Sequence, residues 1–365
     1  MTTTPAPPTG SKPRSELVAI ADPDLPELAR FIATQSGRAP AAVEAHLRWF
    51  LLENPARVAG VPLGWGLRSV PSRELVGCIL CVPQVFRFRD QTFTVMGSSC
   101  FYVDASHRGA GGLIFLQYSR SGRRWPLFGN SANAEAAALW KASGAVPIPD
   151  TDHELFGVLH WSPVLEEVAA RRVSAGGISR LAGKVLAPAA HMSRRLKLEG
   201  GDGVDLVPLG SAEQVMNLPI HGPSQKVAAD RNLSYIRWRY FTGRDRTAEL
   251  YAARSRQFET DILVAVNQRA RGHRGQIRAL HVLDIYPEVS AHEGAAIVGA
   301  LIVRYRDRVD MVVLRGFNPS WQATLQAAGF TRRALDVPNG WFLDKTGLLP
   351  TRDWYTVPAD GDWLI

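Results

Sequence analysis

Residues 101–121, FYVDASHRGAGGLIFLQYSRS, hold the groups best suited to binding an anion. The pattern is that of a strand end, a glycine-rich turn and the start of an apolar helix. Arg108, Gly109, Gly111 and Gly112 fall where strand hands over to helix. A helix start leaves N–H groups without partners and carries the positive end of the helix dipole. Glycines remove the side-chain bulk that would keep this backbone from a phosphate. The expected chemistry is capture of the pyrophosphate of a nucleotide-bearing cofactor. Two other readings use the same glycines. A dinucleotide fold wants G-x-G-x-x-G; Gly109 and Gly111 fit, but Ile114 stands where the third glycine belongs. The other reading is a turn that only lets strand and helix pack closely. A phosphate-loop G-K-[ST] is absent from the sequence.

The elements around this turn follow from pattern and punctuation. A strand is expected at 16–21, then helices at about 22–36 and 40–52, stopped by Gly37 and by Asn54-Pro55. Strands are expected at 63–70, 74–82 and 92–103, with Arg89-Asp90 as a hairpin turn. Strands arriving as hairpins count against a dinucleotide fold. After the turn come a helix at 111–120, a short strand at 125–128, a helix at 133–143 and a strand at 153–160. This order implies a mixed sheet with helices on both faces.

The second half repeats the first. A strand at 204–208 matches 16–21, and YIRWRY at 235–240 echoes LRWF at 47–50. Strands at 249–254, 261–266 and 276–286, a helix at 293–306, a strand at 311–315 and a helix at 321–328 complete the copy. Trp49 to Gly144 spans 144 − 49 = 95 residues; Trp238 to Gly329 spans 329 − 238 = 91. The chain is read as a tandem duplication of one α/β unit. Expected boundaries are a disordered leader at 1–14, a first unit at 15–167, a basic connector at 168–200 and a second unit at 201–365.

Length and composition fit two globular units. Formal charge is 42 − 34 = +8, which suits acidic ligands; nucleic acid is the minority reading and no DNA partner is expected. Cys78 and Cys81 form a C-x-x-C inside an apolar run, where i and i+3 point to opposite faces of a strand. With Cys100 they are read as buried thiols, and no metal set is expected. The polar, proline-rich start has no apolar core of a signal peptide, and no run is long enough to span a membrane. A cytoplasmic protein is expected. Segment 168–198 carries seven Lys or Arg and no acid. It is read as a solvated connector, with weak contact to an anionic membrane surface as the alternative.

Two motifs resemble the GNAT acyltransferase superfamily. The first, V-D-x-x-x-R-G-x-G-G over 103–112, is similar to that family's pyrophosphate signature; Arg108 and Gly111 match, while Leu113 takes a position usually small. The second runs from Asn133 through Ala136 and Leu139 to Gly144. It is similar to the family's Asn-x-x-Ala-x-x-Leu-Tyr-x-x-x-Gly-Phe helix, with Trp140 for the Tyr and Ala145 for the Phe. The whole chain resembles tandem GNAT proteins related to Fem-type transferases and to polysaccharide-associated bacterial acyltransferases. The implied fold is α/β: two GNAT-like units, each a mixed twisted sheet flanked by helices.

The resemblance implies acyl transfer from acetyl-CoA or another acyl-CoA to a primary amine of a small-molecule or glycan acceptor. The amine attacks the thioester directly. Backbone at Phe101 and Val103 would hold the pantetheine and carbonyl. Arg108, Gly109, Ala110, Gly111, Gly112 and Leu113, with Asn133, would hold the rest of the cofactor. Asp104 is the candidate base, with a helix-capping role as its alternative. Tyr102, or Tyr118, is the candidate acid in place of Trp140, whose indole cannot give up a proton at useful pH. The second unit reads Ser290 to Ala296 at its turn, where Glu293 would repel phosphate, so no cofactor is expected there. His281 or Asp284, with Glu259 or Asp261, could line an acceptor pocket. Asp360 and Asp362 could hold a cationic amine, though a solvated tail is the default. The other function class is an aminoacyl-tRNA-dependent transferase of Fem type, or a non-catalytic binding protein with this fold.

Overall fold

The structure is a computed structural model that describes residues 14–70, 72–173, 196, 198, 201–218, 224–243, 247–272, 275–315 and 321–361. The expected leader, apart from Arg14, and nearly all of the basic connector lie outside the described residues. Among the described residues, no helix is long and apolar enough to cross a membrane.

The first half contains β1 (Ser15–Ile20), α1 (Leu25–Ser36), α2 (Pro40–Leu47), β2 (Gly64–Ser69), β3 (Leu75–Arg89) and β4 (Gln91–Val103). There follow α3 (Gly111–Arg120), β5 (Leu127–Gly129), α4 (Ala134–Ala142), β6 (Val146–Pro147), β7 (His153–Val158) and α5 (Trp161–Val173). Helix α1 buries Leu25, Leu28, Ala29, Ile32 and Ala33, the spacing of one helical face, and ends at Gly37 with φ +71°. Strand β3 runs on to Arg89, past the end expected at 82, and takes in Pro83. Pro83 sits beyond the β2 pairing, which ends at Leu80, and before the β9 pairing, which begins at Phe86. A missing N–H is tolerated in that gap.

The second half contains β8 (Asp205–Pro208), β9 (Ser224–Ala229), α6 (Leu233–Ile236), β10 (Ala248–Arg254), β11 (Ile262–Arg271) and β12 (Ile277–Tyr286). It continues with α7 (Ala291–Tyr305), β13 (Met311–Arg315), α8 (Gln322–Ala327), β14 (Thr331–Ala334) and β15 (Trp341–Leu343). Two mixed sheets result. One runs β1-β2-β3-β4-β5-β15-β6, with β9 on the far half of β3; the other runs β14-β7-β13-β12-β11-β10-β8.

The two halves trade strands. Strand β15 enters the first sheet between β5 and β6, antiparallel to both, and β7 enters the second between β13 and β14. The sheets therefore do not divide at the chain boundary of 15–167 and 201–365 expected from the sequence. The crossing segments meet backbone to backbone: Ile148 N–H donates to Gly340 O at 3.0 Å, and Asn339 N–H to Thr151 O at 2.8 Å.

The repeat seen in the sequence is a contact in space. Both RW segments are π-helical turns, Arg48–Leu52 and Arg237–Thr242. The Trp49 indole N–H donates to Trp238 O at 3.0 Å, and the Trp238 indole N–H donates to Trp49 O at 2.9 Å. The rings stack with centroids 5.2 Å apart. Such reciprocity is what a two-fold relation between equivalent segments produces. One hydrophobic cluster joins Leu28 and Phe50 of the first half to Ile236, Leu283 and Leu301 of the second.

Candidate cofactor cleft

The cleft arises from how β4 meets β5. The two are parallel and pair only at Met96–Leu127 and Gly97–Phe128. Strand β5 ends at Gly129 while β4 runs on to Val103, so beyond Gly97 one edge of β4 has no strand partner. Strand β4 also bulges. Cys78 faces Tyr102 and Leu80 faces Ser99, so two steps on β3 oppose three on β4, and Cys100 has φ +47°. A bulge leaves its extra residue out of the ladder and re-aims the strand. The opening is a cleft of about 490 Å³ that includes Tyr102, Val103, Arg108, Gly111, Gly112 and Asn133. A deeper part of about 200 Å³ reaches Ser98, Ser99, Gly129 and Trp140.

Most predicted cofactor residues meet here. Phe101 and Val103 pack toward α3, whereas Tyr102 packs toward the cluster that includes α1 and α2. Arg108 is exposed, lines the cleft and, among the described residues, has no carboxylate partner. Helix α3 follows a 3-10 turn, Ala105–Ala110, and starts with no side-chain cap; Gly111 N–H donates to Arg108 O. Gly112 has nothing within 4 Å of where a Cβ would stand, while a Cβ on Gly111 would stand 3.3 Å from Val103 Cγ2. Asn133 caps α4 by accepting from Ala136 N–H at 2.8 Å, and it lines both parts of the cleft. Gly109, Ala110 and Leu113 do not line it; Leu113 is 53% exposed.

The acid and base candidates fare differently. Tyr102 lines both parts of the cleft. Asp104 caps the turn instead, accepting from Ser106 Oγ at 2.6 Å and Ser106 N–H at 2.9 Å. Those bonds hold its carboxyl below the usual range, which makes it a weak base, and it does not line the cleft. Its capping reading is the one that fits. Tyr118 is fully buried, donates to Met96 O at 2.7 Å, and burial pushes its ionisation well up. It cannot serve as an acid in the cleft.

Trp140 is buried against Phe115 and Tyr118 and closes the deep end. A Cβ on Gly129 would stand 2.8–3.1 Å from its indole. Gly129→Ala should therefore displace the indole into the cleft and cost about 1–3 kcal/mol. Urea unfolding checks this, and a loss under about 0.5 kcal/mol would show the indole free to yield.

In the second half β12 also runs on, to Tyr286, past its last pair with the neighbouring parallel strand, but the helix start beside it differs. Strands β12 and β13 pair at four positions, from Ala279–Met311 to Val282–Leu314. The start of α7 is closed by its own side chains, since Ser290 Oγ accepts from Glu293 N–H and Glu293 accepts from Ser290 N–H. The buried Trp321 covers Gly294. Asp284 is buried against Arg231 and Tyr240, and Asp261 pairs with Arg254. Burial lowers the pKa of His281 to about 4.

The closing stretch corrects the expectation of a solvated tail. Trp354 through Asp360 is buried, and Asp360 pairs with Arg231. Gln84 Nε2 donates to Asp360 O at 2.7 Å and Asn130 Nδ2 to Val357 O at 2.9 Å. The tail thus runs under the floor of the cleft, beside Ser98 and Ser99. Its apolar residues were the available sequence signal; nothing in the sequence singles out Arg231 or Gln84.

No protein-family model matches the chain, and no curated protein matches it. Solved structures do. A conserved protein of unknown function from Enterococcus faecalis V583, described as a probable N-acyltransferase, is similar at TM-score 0.55 and 8% identity, over 90% of this chain and 72% of that one. A GCN5-related N-acetyltransferase from Anabaena variabilis is similar at TM-score 0.54 and 12% identity, over 90% and 72%. Another from Kribbella flavida gives TM-score 0.51 and 15% identity, over 91% and 71%. The chain has the GNAT N-acetyltransferase fold. Its two mixed sheets flanked by helices match those structures.

Proposed function

We propose that the protein transfers an acyl group from acetyl-CoA or another acyl-CoA to a primary amine. The observation that carries this is the splayed β4–β5 cleft, whose outer end holds the start of α3, without a side-chain cap, and Arg108, which has no carboxylate partner among the described residues. N–H groups at the start of α3 and the Arg108 guanidinium would hold the pyrophosphate. N–H groups of Phe101 to Val103 would hold the pantetheine and polarise the thioester carbonyl. The amine nitrogen bonds to that carbon and gives its proton to water, the C–S bond breaks, and the thiolate leaves. Tyr102, the cleft-lining tyrosine, is the candidate donor of a proton to it. The second half would hold no acyl-CoA, because the start of α7 is capped by its own side chains and carries Glu293.

Calorimetry with acetyl-CoA and longer acyl-CoAs tests this. One site per chain is expected, and Arg108→Ala should weaken binding about 10- to 100-fold, the worth of a charge-assisted bond. An absence of binding to every acyl-CoA would overturn it, and transfer from charged tRNA would favour the Fem-type alternative.

A further inference from the structure

Cys78 and Cys81, three residues apart in sequence, are not the pair that the fold brings together. Cys81 belongs to the cluster under α3, while Cys78 belongs to the opposite one. Cys100 packs against the same cluster as Cys78. The Cys78 thiol donates to the Cys100 carbonyl, with Sγ 3.3 Å from the oxygen. Cys100 occupies the β4 bulge, is half-buried and lines the deep part of the cleft. Cys78 is fully buried on β3, the strand paired beside the one that bears Cys100. Burial, and then the neighbouring Cys100 thiol, hold Cys78 in its protonated form.

We propose that Cys78 and Cys100 form a reversible disulfide that shuts the cleft to its ligand. Cys100 is the thiol that a soluble peroxide reaches, since only it opens on the cleft. Peroxide oxidises the Cys100 thiol to a sulfenic acid and is itself reduced to water. The Cys78 sulfur then attacks that sulfur; the S–S bond forms, the S–O bond breaks, and the hydroxyl leaves with the Cys78 proton as a second water. Two thiols and one peroxide thus give one disulfide and two waters. The link draws the bulge toward β3 and away from the cleft, so the N–H groups that follow Cys100 lose their aim. A small dithiol reverses it by exchange. The effect on binding rests on the acyl-CoA reading; the link itself does not.

The test treats the full chain with hydrogen peroxide and maps peptides without reduction. A Cys78–Cys100 link is expected, kept in Cys81→Ser and lost in Cys78→Ser, where a sulfenic acid probe labels Cys100 instead. Acetyl-CoA affinity should fall about tenfold or more, in line with a lost binding contact worth about 1.4 kcal/mol. Dithiothreitol should restore it, and Cys100→Ser should be insensitive to peroxide. Saturating acetyl-CoA should slow labelling of Cys100 in the reduced protein. No link, a link to Cys81, or a link that leaves affinity unchanged would overturn the proposal. If the link forms but the reduced protein binds no acyl-CoA, the acyl-CoA reading fails and the thiol pair stands.

Discussion

Arg231→Met is expected to destabilise the protein by about 3–5 kcal/mol, the cost of breaking a buried ion pair from one side. Arg231 lies between β9 and α6 and is almost completely buried. Its Nε donates to Asp284 Oδ2 at 2.7 Å, and its Nη2 donates to Asp360 Oδ1. Tyr240 adds a bond to Asp284 at 2.8 Å, and Val357 N–H adds one to Asp360 at 2.9 Å. One cation thus holds two buried carboxylates, one from β12 and one from the tail under the cleft. Methionine fills much of the space but leaves both carboxylates unpaired by charge. Burial, with Asp284 nearby, already raises the pKa of Asp360, although Arg231 works against it. An acid raised in the folded state takes up its proton there first, so stability falls as pH rises above the unfolded value. Without Arg231 this dependence should steepen, and the deficit of Arg231→Met should shrink as pH approaches 4, near the ordinary Asp value. Adding Asp360→Asn should recover part of the loss by removing one stranded charge. Urea unfolding across pH measures all three variants. A deficit under about 1 kcal/mol, or one that grows in acid, would show that the charges are not coupled as described.

That cluster marks the limit of what could be read from the chain. The glycine turn and the Asn133 cap were legible because turn and cap chemistry is local: open backbone, a missing side chain, an amide that accepts from the third residue on. The duplication was legible because Trp49 and Trp238 pack on each other and tolerate little change. Pairing between distant segments leaves no such mark. Strands β7 and β15 have short patterns that fit either sheet, and only the fold decides which edge they complete. Asp360 looked like tail chemistry because charge usually means solvent; its partner lies 129 residues away. Asp104 left two roles open for a related reason. A carboxylate beside a cofactor turn suggests a base, but Ser106, two residues on, already takes it up. Cys100 gave no signal at all, since its neighbour Cys78 is fixed by the register of β3 and β4 and by a bulge.

Gly112→Asp should abolish acyl-CoA binding while leaving the fold intact. Gly112 is exposed, in the first turn of α3, with no atom within 4 Å of the added Cβ. An acidic side chain there meets the positive end of the helix and should stabilise it by about 0.3–1 kcal/mol. The same carboxylate stands where the proposed pyrophosphate must lie. Two like charges about 4 Å apart repel by roughly 4 kcal/mol at the effective dielectric of a protein surface. Even part of that weakens binding by about 100-fold or more. Gly112→Ala is the control for bulk: it adds one carbon into open space and should change affinity by less than about tenfold. The pair separates the two explanations of the glycine turn. If the glycines serve only strand-to-helix packing, Asp and Ala at 112 behave alike, in stability and toward acetyl-CoA. If the turn holds phosphate, stability is kept in both and affinity is lost only with the charge. Raised salt should relieve the Asp variant in part, because screening acts on the repulsion and not on shape.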